Sequence, residues 1–470
     1  MIDNEIAIID DTRSILFSEL NSLVSKTAQH YFNCGIKPYD NVAILGNNSI
    51  EYVIAIYSLW KLGAVPVPIN TRLKNNEVQS IVESSKCGII IVDKYFSSIN
   101  LNIALIEMTI KHDGDDCNYS NDIKPNDTAV IIHTSGSSGV PKGVETTNNN
   151  LYQSYLSSTD SFRFSNSDVF LASLPFYHIG GFSIISRAVL SGGVLVIPKS
   201  LQMDDIIKSM QSFDTTIVSL VPTMLKRMIE VGVKPNNHLR YLFLGGGASS
   251  DQLINSALND NWPIVKVYGS SETTAMITAF WGEELRQNPP CAGKPLANIE
   301  IKILDDNFNE ITNAAVGEIA IKSPTIAKGY LKLPNFWKDK THNDLYLSGD
   351  YGYLDKDGKL FVVARRTDLI VSGGENIDPR EIESALNTNP KIIESFVFPL
   401  HDEEWGEIPV AIIALSEKAS LSKKEISEYL KSELASYKIP KIIVFTNEIP
   451  KTELGKVNIK EVKELFRAAD

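Results

Sequence analysis

Cysteine is scarce in this chain. Four residues in 470, Cys34, Cys87, Cys117 and Cys291, stand far apart, and no C-x-x-C pair occurs. That spacing excludes a disulfide framework and a zinc knuckle, and predicts free thiols in a reducing compartment. Long apolar runs are missing too: no stretch approaches the ~20 residues of a membrane span. The first ten residues, M-I-D-N-E-I-A-I-I-D, carry acids where an export signal carries bases. The expectation is a cytoplasmic protein with no membrane span. Positive charge is also in deficit. Forty-five basic residues face 57 acidic ones, for a net charge of −12. Such a balance argues against a nucleic-acid partner, although a local basic pocket stays open. There is no internal repeat and no low-complexity tract.

The chain is longer than one typical core supports, so two or more domains are expected. Short apolar segments alternate with amphipathic ones through most of it. Asn41–Gly46, Asp168–Leu174, Thr216–Leu220, Leu239–Leu244 and Ile264–Val267 read as strands. The stretches between them read as helices, including one opening at Pro222. This alternation predicts layered α/β sheets with parallel strands. From Ile299 to Val363 the pattern changes to strands and turns, a small β subdomain. After Arg366 it changes again, to a compact α+β unit of about a hundred residues. The predicted division is residues 1–366 and 367–470, at R-R-T-D.

The densest chemistry lies at His133–Val144, H-T-S-G-S-S-G-V-P-K-G-V, directly after the apolar run Ala129–Ile132. Thr134, Ser135, Ser137 and Ser138 offer hydroxyls. Gly136 and Gly139 let the backbone bend around an anion, and Lys142 adds a positive charge. A triphosphate cradle is the reading. A Gly/Ser-rich surface turn has the same composition. It is not the common P-loop, because no Ser/Thr follows the lysine to hold Mg²⁺.

Tyr268–Thr273, Y-G-S-S-E-T, ends another strand. Glu272 there suits Mg²⁺ and Tyr268 could pack on a purine; an ordinary strand–turn–helix capped by Ser270 or Ser271 is the alternative. Asp350 in S-G-D could accept two ribose hydroxyls or simply close a turn. Arg365 precedes a Gly-Gly loop, and Gly245–Gly247 mark a close backbone approach. His178 sits in an aromatic cluster at a strand end, where it could equally cap the next helix. A lone Lys456 near the end would ordinarily be a solvated charge.

Together and in this order, these motifs resemble the adenylate-forming enzymes: acyl-CoA synthetases, amino-acid adenylation domains and beetle luciferases. The resemblance spans essentially the whole chain. It rests on Thr134–Gly143, Y-G-S-S-E-T, S-G-D, Arg365–Glu383 and the P-K-T-E-L-G-K ending at Lys456. It implies that a carboxylate attacks the α-phosphate of Mg·ATP, and that coenzyme A then displaces AMP. By position, Thr134, Ser135, Gly136, Ser137, Ser138, Gly139 and Lys142 would hold the β- and γ-phosphates. Ser271 would meet the α-phosphate and Glu272 the Mg²⁺. Asp350 would bind ribose, with Arg365 near. Gly245, Gly246, Gly247, Tyr268 and Gly269 would flank adenine, with Gly246 and His178 also on the acyl group. Lys456 would bridge carboxylate and α-phosphate. The small domain would be mobile, turning at Thr367, where the family often has Lys or Asp. Gly373 and Gly374 would then line the coenzyme A tunnel. Ser137-Ser138 replaces the family's frequent T-T and keeps both hydroxyls. Homodimers occur in this family.

Amino-acid adenylation places an aspartate just after the aromatic motif, and Phe176–Ser183 contains none. The stretch L-P-F-Y-H-I-G-G-F-S-I-I-S-R-A-V, V-P-T-M-L and the triple glycine are most similar to the o-succinylbenzoate–CoA ligases of menaquinone biosynthesis. In that pattern His178 helps bind the acyl group, and Arg187 also fits. Medium-chain, long-chain and aryl CoA ligases carry looser versions, so a fatty-acyl or aryl acid is the alternative substrate.

Overall fold

A computed structural model describes residues 5–73, 75–117, 119, 123–134, 142–247, 249–312, 314–365, 370–372, 375–377, 379–402, 405–416, 419–434, 436–452 and 457–469. They form two compact units, Met1–Ile301 with Ile321–Tyr346, and Lys302–Ala320 with Leu347–Asp470. The α/β expectation holds.

A nine-stranded sheet dominates the first unit. Its centre is parallel: Ile6–Ile9, Val194–Val196, Val169–Leu171, Ile217–Leu220, Tyr241–Leu244 and Ile264–Ser270 lie side by side. Antiparallel strands finish both edges, Ser14–Leu16 on one side and Ala275–Trp281 with Lys294–Pro295 on the other. A second, parallel sheet joins Val65–Pro68, Asn41–Leu45, Ile89–Val92 and Ala104–Glu107. Helix Ile50–Leu62 starts at Ser49, whose hydroxyl accepts from the Tyr52 amide, and stops at Gly63 in the left-handed region. Almost every side of this helix is apolar and buried. Such a helix belongs inside a core. One continuous cluster accordingly runs from Ile8, Phe170 and Phe243 through Tyr52, Ile54 and Ile56 to Ile44 and Ile91.

The N-terminal ends of the central strands are riveted by a buried carboxylate. Asp168 is fully buried. It accepts from the Ser165 amide (2.9 Å) and the Thr216 hydroxyl (2.9 Å), and pairs with the Arg240 guanidinium. Arg240 also donates to the Phe162 carbonyl at 3.0 Å. Three neighbouring strands are thus joined at one end, leaving the opposite end for chemistry.

The second unit contains most of a sheet formed by strands Gly317–Lys322, Leu345–Leu354 and Leu360–Arg365, with Glu300–Leu304 at its edge. A further sheet orders Glu375–Ile377, Ile370–Ser372, Gly406–Leu415 and Ile392–Asp402, with Ile442–Thr446 beside Gly406–Leu415. Strand Gly406–Leu415 alternates cleanly. Ala411 and Ile413 face a core with Ile426 and Leu430, while Val410 and Ile412 face another with Val462 and Phe466. Helices Pro379–Asn387 and Lys423–Glu433 pack on one face, Ile459–Ala469 on the other. No helix among the described residues is long and apolar enough to cross a membrane.

Removing Arg240 would leave Asp168 as an uncompensated buried charge. Arg240→Ala should cost about 3 kcal/mol of stability, read as a shifted urea midpoint at unchanged slope.

Candidate active site

The C-terminal ends of the parallel strands, where ligands of open α/β sheets sit, carry the predicted His178, Gly245–Gly247, Tyr268, Gly269, Ser271 and Glu272. After Val169–Leu171 the chain runs to His178. Asn48 braces this run, donating to the Leu174 carbonyl (2.9 Å) and accepting from the Phe176 amide (3.0 Å). His178 takes the N-cap position of helix Ile179–Ser191, but its side chain makes no capping bond. The capping alternative therefore fails. Its ring meets Tyr177 edge-on at 4.7 Å. Gly181 is required there, since a Cβ would lie 2.0 Å from the Pro175 carbonyl.

Gly245–Gly247 follow Tyr241–Leu244. A Cβ on Gly245 would meet Val267 at 2.7 Å, and Gly246 has φ +77°. The neighbouring strand ends in Tyr268, Gly269 and Ser270, then turns through Ser271–Thr274 into an antiparallel strand. No helix follows, so the strand–turn–helix alternative also fails. Thr273 ties the turn, its hydroxyl accepting from the Ser270 amide (2.8 Å) and donating to the Ala275 carbonyl (2.8 Å). Thr274 and Ala275 both have positive φ, a strained pair at the site's edge.

The phosphate-loop segment is spanned by a β-hairpin. Strands Thr128–Thr134 and Lys142–Thr147 pair antiparallel, with Thr134 opposite Lys142. Ser135, Gly136, Ser137, Ser138 and Gly139 lie outside the described residues. Lys142 places its ammonium 3.7 Å from the centre of the Phe336 ring. Desolvation first, then Lys340, lowers its pKa, and Glu272 opposes the shift. Glu272 is partly buried and accepts a 2.7 Å bond from the Tyr330 hydroxyl. Burial first, and then the Glu272 charge, raises the pKa values of Tyr330 and Tyr346, so both phenols stay protonated donors. The first unit thus brings Lys142 and Glu272 to a single aromatic cluster. No group of three or more His, Cys, Asp or Glu that could cage a metal exists among the described residues. One carboxylate that leaves positions for water and phosphate oxygens suits Mg²⁺, which is typically held that way.

In the second unit, Asp350 is buried and lies directly across from Arg365. Its amide donates to the Ser348 hydroxyl at 3.0 Å, and the Gly349 amide donates to Glu318 at 3.2 Å. Thr367, Gly373, Gly374 and Lys456 lie outside the described residues.

Sequence reasoning missed Asn48, Tyr330 and Phe336. The G-Y pair at 329–330 and the aromatic pair at 336–337 were their only local signal.

The AMP-binding enzyme family model matches residues 3–331, and the model of the AMP-binding enzyme C-terminal domain matches 381–456. The chain belongs to the AMP-binding enzyme family. Among AMP-binding relatives, the 2-succinylbenzoate–CoA ligase of Bacillus cereus (strain AH820) is 31% identical over 463 residues, covering 98% of this chain and 95% of that protein. The o-succinylbenzoate CoA synthetase of Bacillus subtilis, solved with the acyl-adenylate intermediate OSB-AMP, superposes with TM-score 0.89 at 31% identity, over 98% and 95% of the two chains. The same enzyme with ATP and magnesium ion gives 0.90 at 31%, over 98% and 96%.

His133, just before the phosphate segment, bonds Ser85 at 3.1 Å, and burial pushes its imidazole down to about 4. It therefore stays neutral in the fold while an unfolded chain protonates near pH 6.5. Stability contributed by this site is full above about pH 6.5 and falls as pH drops toward about 4, by up to about 3 kcal/mol. Urea titrations across that range should show a steeper acid loss for wild type than for His133→Asn.

Proposed function

We propose that this AMP-binding enzyme activates 2-succinylbenzoate with ATP and passes the acyl group to coenzyme A, as a step in menaquinone biosynthesis. The carboxylate oxygen attacks the α-phosphorus and pyrophosphate leaves. The thiol sulfur of coenzyme A then attacks the acyl carbonyl and AMP leaves. Near-full-length likeness to ligases named for this acid supports the reading. Arg187 is the observation that carries the choice of acid.

Arg187 lies on helix Ile179–Ser191 with 5% of its surface exposed. Its guanidinium carbon sits 5.7 Å from the centre of Phe243, on the strand that ends in Gly245–Gly247. Burial pushes its pKa down to about 10, and its Nε has no hydrogen-bond partner among the described residues. A buried cation with an unpartnered nitrogen is costly unless something pairs with it. 2-Succinylbenzoate carries a second carboxylate that can do so. Octanoate and benzoate do not, which disfavours the fatty-acyl and aryl alternative.

The chain's own residues take these parts. Thr134 to Lys142 cradle the leaving β- and γ-phosphates, and Ser271 contacts the α-phosphate. Glu272 holds Mg²⁺, which when bound offsets charge on the phosphate oxygens. Gly245–Gly247, Tyr268 and Gly269 flank adenine, Gly246 and His178 meet the acyl group, and Asp350 accepts the ribose hydroxyls with Arg365 beside it. Lys456 lowers the repulsion between two anions that must meet. It serves the first half-reaction only. The segment 367–470 acts as a mobile domain hinged at Thr367, with Gly373 and Gly374 lining the approach of coenzyme A. The same reading sets the enzyme in the cytoplasm without a nucleic-acid partner, in a family where homodimers are frequent.

Pyrophosphate release should be far greater with 2-succinylbenzoate than with octanoate, benzoate or acetate; equal release across the panel would refute the substrate. Arg187→Gln should raise KM for 2-succinylbenzoate by about 10-fold or more while KM for ATP holds, consistent with loss of a charged hydrogen bond. Lys456→Ala should cut adenylate formation by about 100-fold or more. Thioester formation from supplied acyl-adenylate should survive; an equal fall in both half-reactions would contradict the assigned role.

A further inference from the structure

The Glu272 carboxylate is held from outside the turn that carries it. The Tyr330 hydroxyl donates to Glu272 Oε1 at 2.7 Å. Tyr346 in turn hydrogen-bonds Tyr330. Both rings are buried. Trp337 fixes the pair, stacking on Tyr346 at 5.4 Å with a 20° interplanar angle and meeting Tyr330 edge-on at 5.2 Å. The backbone around Tyr330 is fixed as well. The Ala327 amide donates to the Glu272 carbonyl at 2.8 Å, and the Leu331 amide donates to the Gly143 carbonyl at 2.8 Å. Side chain and main chain of residue 272 are therefore both tied to one short segment, which also grips the residue after Lys142.

A carboxylate that swings freely must lose rotamer freedom each time it binds a cation. One that is clamped through a single oxygen keeps its plane and leaves its other oxygen for a ligand. We propose that Tyr330, supported by Tyr346, is a positioning residue that presents the Glu272 carboxylate to the divalent cation accompanying ATP. The proposal rests on Glu272 being the metal-binding carboxylate.

The test is calorimetric binding of the non-hydrolysable analogue α,β-methylene-ATP to the full-length enzyme, with and without Mn²⁺. The ratio of the two affinities reports metal binding alone. A variant that merely loosens the fold would weaken both legs and leave the ratio unchanged. Tyr330→Phe keeps the ring and removes the donor. It should cut the ratio by about 10-fold, the usual scale for losing a partner behind a metal ligand, with metal-free affinity retained. Tyr346→Phe should cut it less, in the same direction. If Tyr330→Phe does not fold, Tyr346→Phe decides alone. Ratios within about twofold of wild type in the folded variants would overturn the positioning role. Glu272→Gln separates the two levels. If it leaves the ratio intact, the underlying assignment of Glu272 fails. If it collapses the ratio while Tyr330→Phe does not, only the positioning role fails.

Discussion

The site of the first unit depends on two backbone hydrogen bonds made by the segment from Ala327 to Leu331. One reaches the Glu272 carbonyl, the other the Gly143 carbonyl. Glu272 follows the large, mainly parallel sheet, whereas Gly143 belongs to a separate antiparallel hairpin. Nothing in the local sequence of either obliges them to meet. A third stretch, nearly sixty positions beyond Glu272 by the sequence numbering, bridges both. The bridge converts a turn and a hairpin into one surface, with an anionic and a cationic side chain on a shared aromatic base. A strand as short as Gly329–Tyr330 contributes little to fold stability by itself. Its value lies in where its donors point.

The large sheet divides its labour by end. At one end Asp168 and Arg240 bind neighbouring strands into a rigid base. At the other, glycines stand at close approaches: Gly181 under a carbonyl, Gly245 against Val267, and Gly269, where a Cβ would fall 1.8 Å from the Ala275 carbonyl. Each lets backbone, rather than side chain, form the wall of the site. A rigid rear and a backbone-lined front suit an enzyme that must orient charged reactants, since small misplacements are costly in such reactions.

Much of this was legible in the sequence. The parallel strands announced themselves as apolar runs, because strands buried on both faces need no alternation. The glycines and hydroxyls of the phosphate loop, the carboxylate at 272 and the S-G-D turn carried their chemistry in their own composition. The antiparallel reversal after Tyr268 did not. It depends on Thr273 bonding both sides of its own turn and on positive φ at Thr274 and Ala275, conformations that threonine and alanine do not advertise. The strands Ile6–Ile9 and Ser14–Leu16 were too short to read alone and become strands only by docking on the sheet edge. Tyr330 and Asn48 were illegible for a related reason. Their partners, Glu272 and the carbonyls near Leu174, lie far away along the chain. Arg187 stood in plain view, but only packing against Phe243 shows that its charge is buried.

The double-sided sheet of the second unit has an implication of another kind. Strand Gly406–Leu415 feeds one apolar cluster from each face, and both clusters are completed by helices drawn from the same stretch of chain. Such a layer holds itself together like a bound book, with covers front and back. Its apolar interior is shielded from water on both faces by helices of its own stretch of chain.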